Sequence, residues 1–202
     1  MSIEKIMGFI KSTCILFQID ESHGFDHSMK TLLWSLKITK DMTITNHESQ
    51  VIKIACLLHD MCDKKYMDEM FGAYRIKLFL MDLKLNQLII EDILFIITTM
   101  SYSKVIKNGY PNFDGDESLE KCYHIVRNSD LLESYDPERC IAYHIIRCNG
   151  TREEGILKMV DIFETRILRL IENGYINIQS AKEYATKLHD KAITQLETYK
   201  LK

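Results

Sequence analysis

Two His-Asp dipeptides, His59-Asp60 and His189-Asp190, are the residues of this chain best suited to grip a metal ion. With 7 His and 14 Asp among 202 residues, about half of one such pair is expected by chance, so the dipeptide alone carries little weight. Context separates the two. His59-Asp60 closes an apolar helical stretch, Ile52 to Leu58, and so falls where a buried helix end meets a cavity. An imidazole or carboxylate there is costly to bury unless it is paired or ligated. Neighbours on a helix project about 100° apart, yet both reach one ion that lies near the helix end. His189-Asp190 sits in ATKLHDKAITQL, where charges fill most non-apolar positions, and reads as a solvated face.

The elements that must position such a site are helical almost throughout. Helical spacing predicts a first helix from about Ser2, its N-cap, with Ile3, Ile6, Met7, Ile10 and Phe17 along one stripe. His23-Gly24-Phe25-Asp26-His27 interrupts it, and a second helix runs on through Leu32, Leu36 and Ile38 to Met42. Asn46 is expected to cap a third, ending near His59-Asp60. Further helices are expected at about 68–83, 86–101 and 118–132, with Lys104 to Asp116 as the longest loop. Asp136-Pro137-Glu138 combines an N-cap, a proline at the first position and an acid in the first turn. That helix should stop at Asn149-Gly150, the next should run from Thr151 to Asn173-Gly174, and the last from about Ile178. The result is an all-α single domain, 1–202, of about nine helices, with a core over about 20–150 and a C-terminal helical pair over about 151–202.

Composition agrees and excludes several classes. Only 2 Pro and 8 Gly leave too few turn-formers for a sandwich or propeller. A net charge of −3 gives no basic face for extended nucleic-acid binding, while allowing a local basic patch around one small anion. The most apolar stretch, Leu88 to Met100, is too short to span a bilayer and is broken by Glu91 and Asp92. The N-terminal stretch lacks the uninterrupted apolar core of a signal peptide, so a cytoplasmic protein without membrane partners is expected. The six cysteines form no C-x-x-C pair and read as reduced, buried thiols.

The ordered series His27, His59-Asp60 and Asp130 resembles the H…HD…D motif of the HD-domain phosphohydrolase superfamily. Local strings sharpen the likeness to a small stand-alone subgroup related to bacterial nucleoside triphosphate pyrophosphohydrolases. His23-Gly24-Phe25-Asp26-His27 resembles its H-x-x-x-H entry, and Leu57-Leu58-His59-Asp60-Met61-Cys62-Asp63 its LLHD-x-x-D string. Ser101-Tyr102-Ser103 resembles its S-[FY]-S string, and Ser129-Asp130-Leu131-Leu132-Glu133 its ADxLD. The likeness covers roughly residues 5–200. It departs at Lys30, where the subgroup usually has Arg, and at Met100, where a His is common. SYDPERCIAYHIIR also replaces a Gly-rich, Arg-containing stretch. The strings of HD-GYP phosphodiesterases, dGTPase-type triphosphohydrolases and alarmone hydrolases are missing.

The resemblance implies a helical HD bundle and a divalent ion held by His27, His59, Asp60 and Asp130. Two imidazoles and two carboxylates suit Mn²⁺ first, with Fe²⁺, Co²⁺, Mg²⁺ or Zn²⁺ as alternatives. Such an ion lowers the pKa of a bound water and offsets charge growing on a phosphoryl group. The implied reaction is hydrolysis of a small phosphorylated substrate, above all a (deoxy)nucleoside triphosphate cut to monophosphate and pyrophosphate. A nucleotidase, a phosphodiesterase or an idle metal- and nucleotide-binding module stays open, as does a homodimer. Besides Asp60, Asp63 is a catalytic candidate for orienting water or protonating a leaving group, or else a helix cap. Lys64, Lys65, His23, Arg127 and Ser101 are candidates for contacting substrate phosphates or lining the pocket.

Overall fold

Capping chemistry sets most of the helix boundaries in the computed structural model, which describes residues 3–200. Ten α-helices follow in chain order: α1 (Ile3–Phe17), α2 (Phe25–Ile38), α3 (Asn46–Leu58), α4 (Glu69–Asp82) and α5 (Gln87–Thr99). They continue as α6 (Tyr102–Asn108), α7 (Glu117–Glu133), α8 (Pro137–Cys148), α9 (Arg152–Thr165) and α10 (Gln179–Lys200). A single 3₁₀ turn, Ile167–Arg169, follows α9. No strand occurs among the described residues, and the helices form one domain around one core.

The extra helix is α6, which takes the first part of the expected 104–116 loop. Val105 is buried there, and the chain leaves the helix only at Gly109, whose φ of +76° suits a residue without a Cβ. Helix α2 stops at Ile38 rather than Met42. The cap of α3 is Thr45, not Asn46, because Thr45 and Glu48 close a capping box. Helix α9 ends at Thr165 instead of near Asn173, as Arg166 leaves helical geometry at φ −130°. The expected cap Ser2 lies outside the described residues. The Asp136 cap and Pro137 start of α8 are present, and Asn149 ends that helix in the left-handed conformation.

Helices α2, α3 and α7 pack against one another in pairs at the centre, with α5 beside α3, α4 against α5, and α1 across α2 and α3. Helix α3 is apolar on nearly every side from Val51 to Leu58, and these residues are buried except Lys53. A helix enclosed on all faces needs such a sequence. Helices α8 and α9 form a separate pair, and α10 lies along α7.

One buried carboxylate ties α3 to α7. Glu48 accepts from the Thr45 backbone N–H (2.7 Å) and from Ser118 Oγ (3.1 Å), and pairs with Lys121 (2.5 Å). Burial raises its pKa, but Lys121 and the Thr45 amide outweigh that and hold it at about 2, below the usual 4.5. A depressed carboxyl pKa stabilises the fold fully above pH 4.5, and that stabilisation is lost as pH falls toward 2. Glu48→Gln should therefore cost roughly 2–3 kcal/mol at pH 7 in urea unfolding, with the gap to wild type closing between pH 4.5 and 2. None of the described helices is long and apolar enough to cross a membrane.

Candidate metal centre and its cavity

The three central helices each deliver a ligand candidate to one point. His27 lies in the first turn of α2 and is buried, His59 caps the C-terminus of α3, and Asp60 follows in the turn beyond. Asp130 comes from the last turn of α7. His27 Nε2 stands 3.0 Å from His59 Nε2, 3.2 Å from Asp60 Oδ2 and 3.3 Å from Asp130 Oδ1. His59 Nε2 is 3.4 Å from Asp60 Oδ2 and 3.6 Å from Asp130 Oδ1. Adjacent ligands about 2.1 Å from one divalent ion stand roughly 3.0–3.4 Å apart, and the His27, His59 and Asp60 atoms are spaced in that way, with Asp130 Oδ1 beside the two imidazoles.

Local hydrogen bonding agrees with that use. His59 Nδ1–H donates to the Cys56 carbonyl (2.8 Å), which fixes the tautomer and leaves the Nε2 lone pair facing the cluster. Asp60 Oδ2 is buried without a hydrogen-bond donor, an unusual state for a carboxylate oxygen unless a cation satisfies it. The field favours positive charge at this point. Burial works against protonating His59, yet Asp60 and then Asp130 overcome it and raise its pKa to about 9. Burial would raise Asp60 and Asp130, but the imidazoles hold both well below the carboxylate range. His27, His59 and Asp60 thus form a buried group able to hold a metal ion, with Asp130 converging on it, and the donor set fits a divalent cation.

His59, Asp60 and Asp130 of the cluster line one wall of a cavity of about 360 Å³, within the size of small-molecule sites, and His27 is buried behind that wall. His23, Asp63, Lys64, Lys65 and Ser101 line it with His59, Asp60 and Asp130. His23 is held neutral, its pKa lowered to about 3 chiefly by burial and, after an opposing pull from Asp60, by Lys65 and Arg139. Its Nε2 accepts from Lys65 Nζ (2.9 Å), so its Nδ1 carries the proton and faces Ser22 Oγ (2.7 Å) and Tyr66 Oη (3.1 Å). Tyr66 in turn donates to Asp20 (2.6 Å). Asp63 Oδ1 accepts from the Lys65 amide (2.8 Å), so this carboxylate shapes the turn as well as facing the cavity. Ser101 stands at the N-cap of α6.

Arg127 is a correction. It is fully buried away from the cavity, donates to the Tyr175 carbonyl (2.8 Å) and lies 5.3 Å from the ring centres of both Tyr110 and Tyr175. The Tyr175 carbonyl and the two aromatic faces hold it there, outside the cavity lining, and its Nε and Nη2 are buried without an acceptor. Lys30 pairs with Glu133 (3.2 Å) and Asp136 (3.7 Å), outside the cavity lining. The His189-Asp190 pair sits on α10, with Asp190 exposed, and takes no part.

Sequence reasoning missed Arg139 and Arg166, which both line the cavity. Arg139 is in the first turn of α8, inside the stretch that departs from the family string, and Arg166 falls where α9 was expected to continue. Neither position carries a local signal. Only the return of the α8–α9 pair over the metal-ligand cluster brings them in.

Comparisons with solved structures agree with the helical architecture. The fold is similar to that of Bacillus subtilis YpgQ at 15% identity and a TM-score of 0.68, over 96% of this chain and 91% of that one. A second YpgQ structure, in complex with ADP, matches at 18% identity and 0.68 over 98% and 97%. A Lactobacillus plantarum structural-genomics target matches at 17% identity and 0.74 over 98% and 94%. No family model matches the chain. No curated protein matches it.

Proposed function

We propose that this protein is a metal-dependent phosphohydrolase of the HD type that acts on a small nucleotide. The specific reaction is hydrolysis of a (deoxy)nucleoside triphosphate to monophosphate and pyrophosphate. The observation that carries the reading is the meeting of His27 Nε2, His59 Nε2, Asp60 Oδ2 and Asp130 Oδ1 at the wall of a cation-lined cavity. The ADP held by YpgQ, a protein of similar fold, supports a nucleotide as ligand.

His27, His59, Asp60 and Asp130 hold the ion, with Mn²⁺ the first choice. When bound, the ion activates water and offsets phosphoryl charge. The protein's own groups do the rest. The Cys56 carbonyl orients His59. Neutral His23 accepts from Lys65 and so directs that ammonium along the cavity edge. Asp63 faces the same space within reach of a water or leaving group. Ser101, at the start of α6, borders the mouth.

The test is a panel of nucleoside mono-, di- and triphosphates with Mn²⁺, Mg²⁺, Co²⁺ or Zn²⁺, in which pyrophosphate and orthophosphate are measured separately. Pyrophosphate from triphosphates, absent in Asp60→Ala, is the expected result. Orthophosphate alone would replace the reaction with that of a nucleotidase or triphosphatase, and no release from any substrate would refute hydrolysis of nucleotides.

A further inference from the structure

Two guanidinium groups face the cavity without a carboxylate partner. Arg139 is anchored by its Nε–H, which donates to the Ser22 carbonyl, and its Nη2 reaches to 3.1 Å from His27 Nε2. Arg166 lies 3.8 Å over the Tyr102 ring, and its Nε is buried with no hydrogen-bond acceptor. Burying a cation's N–H without an acceptor is costly, so the orphaned Arg166 guanidinium calls for an anion, and Arg139, held by the Ser22 carbonyl and His27 Nε2, lines the same cavity.

The neighbouring charges cancel. Lys104 meets Glu69, Lys65 meets Asp63 at 3.4 Å, and a divalent ion balances Asp60 and Asp130. What is left along the lining is Arg139, Arg166 and the exposed Lys64, three positive charges. Arg139 stands at the metal-ligand end of the cavity, beside His27, and Arg166 lines the same space. A phosphate monoester, with charge about −2 at most near neutral pH, leaves this excess unmatched, whereas a di- or triphosphate offsets it and offers oxygens to both planar forks.

We propose that Arg139 and Arg166 form a clamp for a phosphoanhydride chain, which selects nucleoside di- and triphosphates over monophosphates. The proposal rests on the hydrolase reading above and assigns the residues that select its substrate. It also places the selecting residues in the α8–α9 region, one inside the stretch where the chain departs from the family string and one well beyond it, at the end of α9.

Equilibrium dialysis at a fixed excess of Mn²⁺ tests it, with orthophosphate and non-hydrolysable imidodiphosphate as probes. Wild type should bind imidodiphosphate at least about 100-fold more tightly than orthophosphate. Arg139→Gln and Arg166→Gln should each weaken imidodiphosphate by about tenfold or more and orthophosphate by less. Arg166→Lys, which keeps charge and most of the packing but not the fork, should fall between, and guards against a folding defect in the glutamine variant. Equal affinities in wild type and variants, or no preference for imidodiphosphate, would overturn the clamp. Metal content is read separately by elemental analysis. Wild type without metal would end the hydrolase reading whatever the anion data show, while metal-loaded, active variants with unchanged anion affinity would end the clamp alone.

Discussion

Asp60→Ala should release tightly bound divalent metal and lower turnover by three orders of magnitude or more, with the helical circular dichroism retained. Asp60 Oδ2 stands within 3.4 Å of both imidazole Nε2 atoms and has no hydrogen-bond donor of its own, so its removal takes away a ligand and breaks only its contacts with those two imidazoles. The loss leaves two imidazoles and one carboxylate, and with it half the negative charge that balances a divalent ion. His59 also loses the Asp60 charge, which helps to raise its pKa to about 9, so the site's preference for a cation weakens in the same direction. The core below is apolar and independent of the carboxylate: Leu57, Leu58 and Met61 are fully buried. Elemental analysis after dialysis and the rate of pyrophosphate release are the two measurements. Asp190→Ala, at the other His-Asp pair, should change neither. Full metal content in Asp60→Ala would show that the ligand assignment is wrong.

Gly72→Ala should destabilise the protein and disturb the site from a distance. Glycine to alanine inside a helix ordinarily gains about 0.5–1 kcal/mol. Here a Cβ on Gly72 of α4 would lie 2.7 Å from Cys62 Cβ, 2.8 Å from Cys62 Cα and 2.8 Å from Met67 Sδ. The Met67 side chain can swing away, but the Cys62 backbone can yield only by moving the turn after α3. That turn carries Asp60, Asp63, Lys64 and Lys65. Overpacking of this kind costs about 1–3 kcal/mol, which reverses the helical gain. The midpoint of urea unfolding should fall, and metal affinity should fall with it because Asp60 shifts. Gly8→Ala in α1, where a Cβ meets nothing within 4 Å, should instead raise the midpoint slightly. A stable Gly72→Ala protein with unaltered metal binding would show that the turn is free to move without consequence.

The helical class was legible because the apolar spacing has a helical period nearly everywhere and the turn-formers are few. Capping signals were legible where one residue stood out, as at Asp136-Pro137-Glu138. They misled where two caps were adjacent. Thr45 and Asn46 are both good N-caps, and the choice falls to Thr45 because Glu48 lies three residues beyond it and completes the box. That signal was present in the sequence. The end of α9 at Arg166 was not, since nothing between Ile156 and Glu172 breaks a helix by composition, and packing of the 3₁₀ turn through buried Ile167 decides it.

What the sequence determined by itself is the local part of the site: an apolar helix that must be buried and must therefore carry His59-Asp60 to an interior end. Motif order added His27 and Asp130 as partners through resemblance. Tertiary structure alone decided which cations face that end. Arg127 is three residues from Asp130 yet points to the Tyr175 carbonyl, while Arg139 and Arg166 come from a helix pair that folds back over the cavity. The reason is physical: helix formation and burial depend on neighbours along the chain, but the partner of a charged side chain is settled by whichever acceptor or cavity long-range packing places beside it.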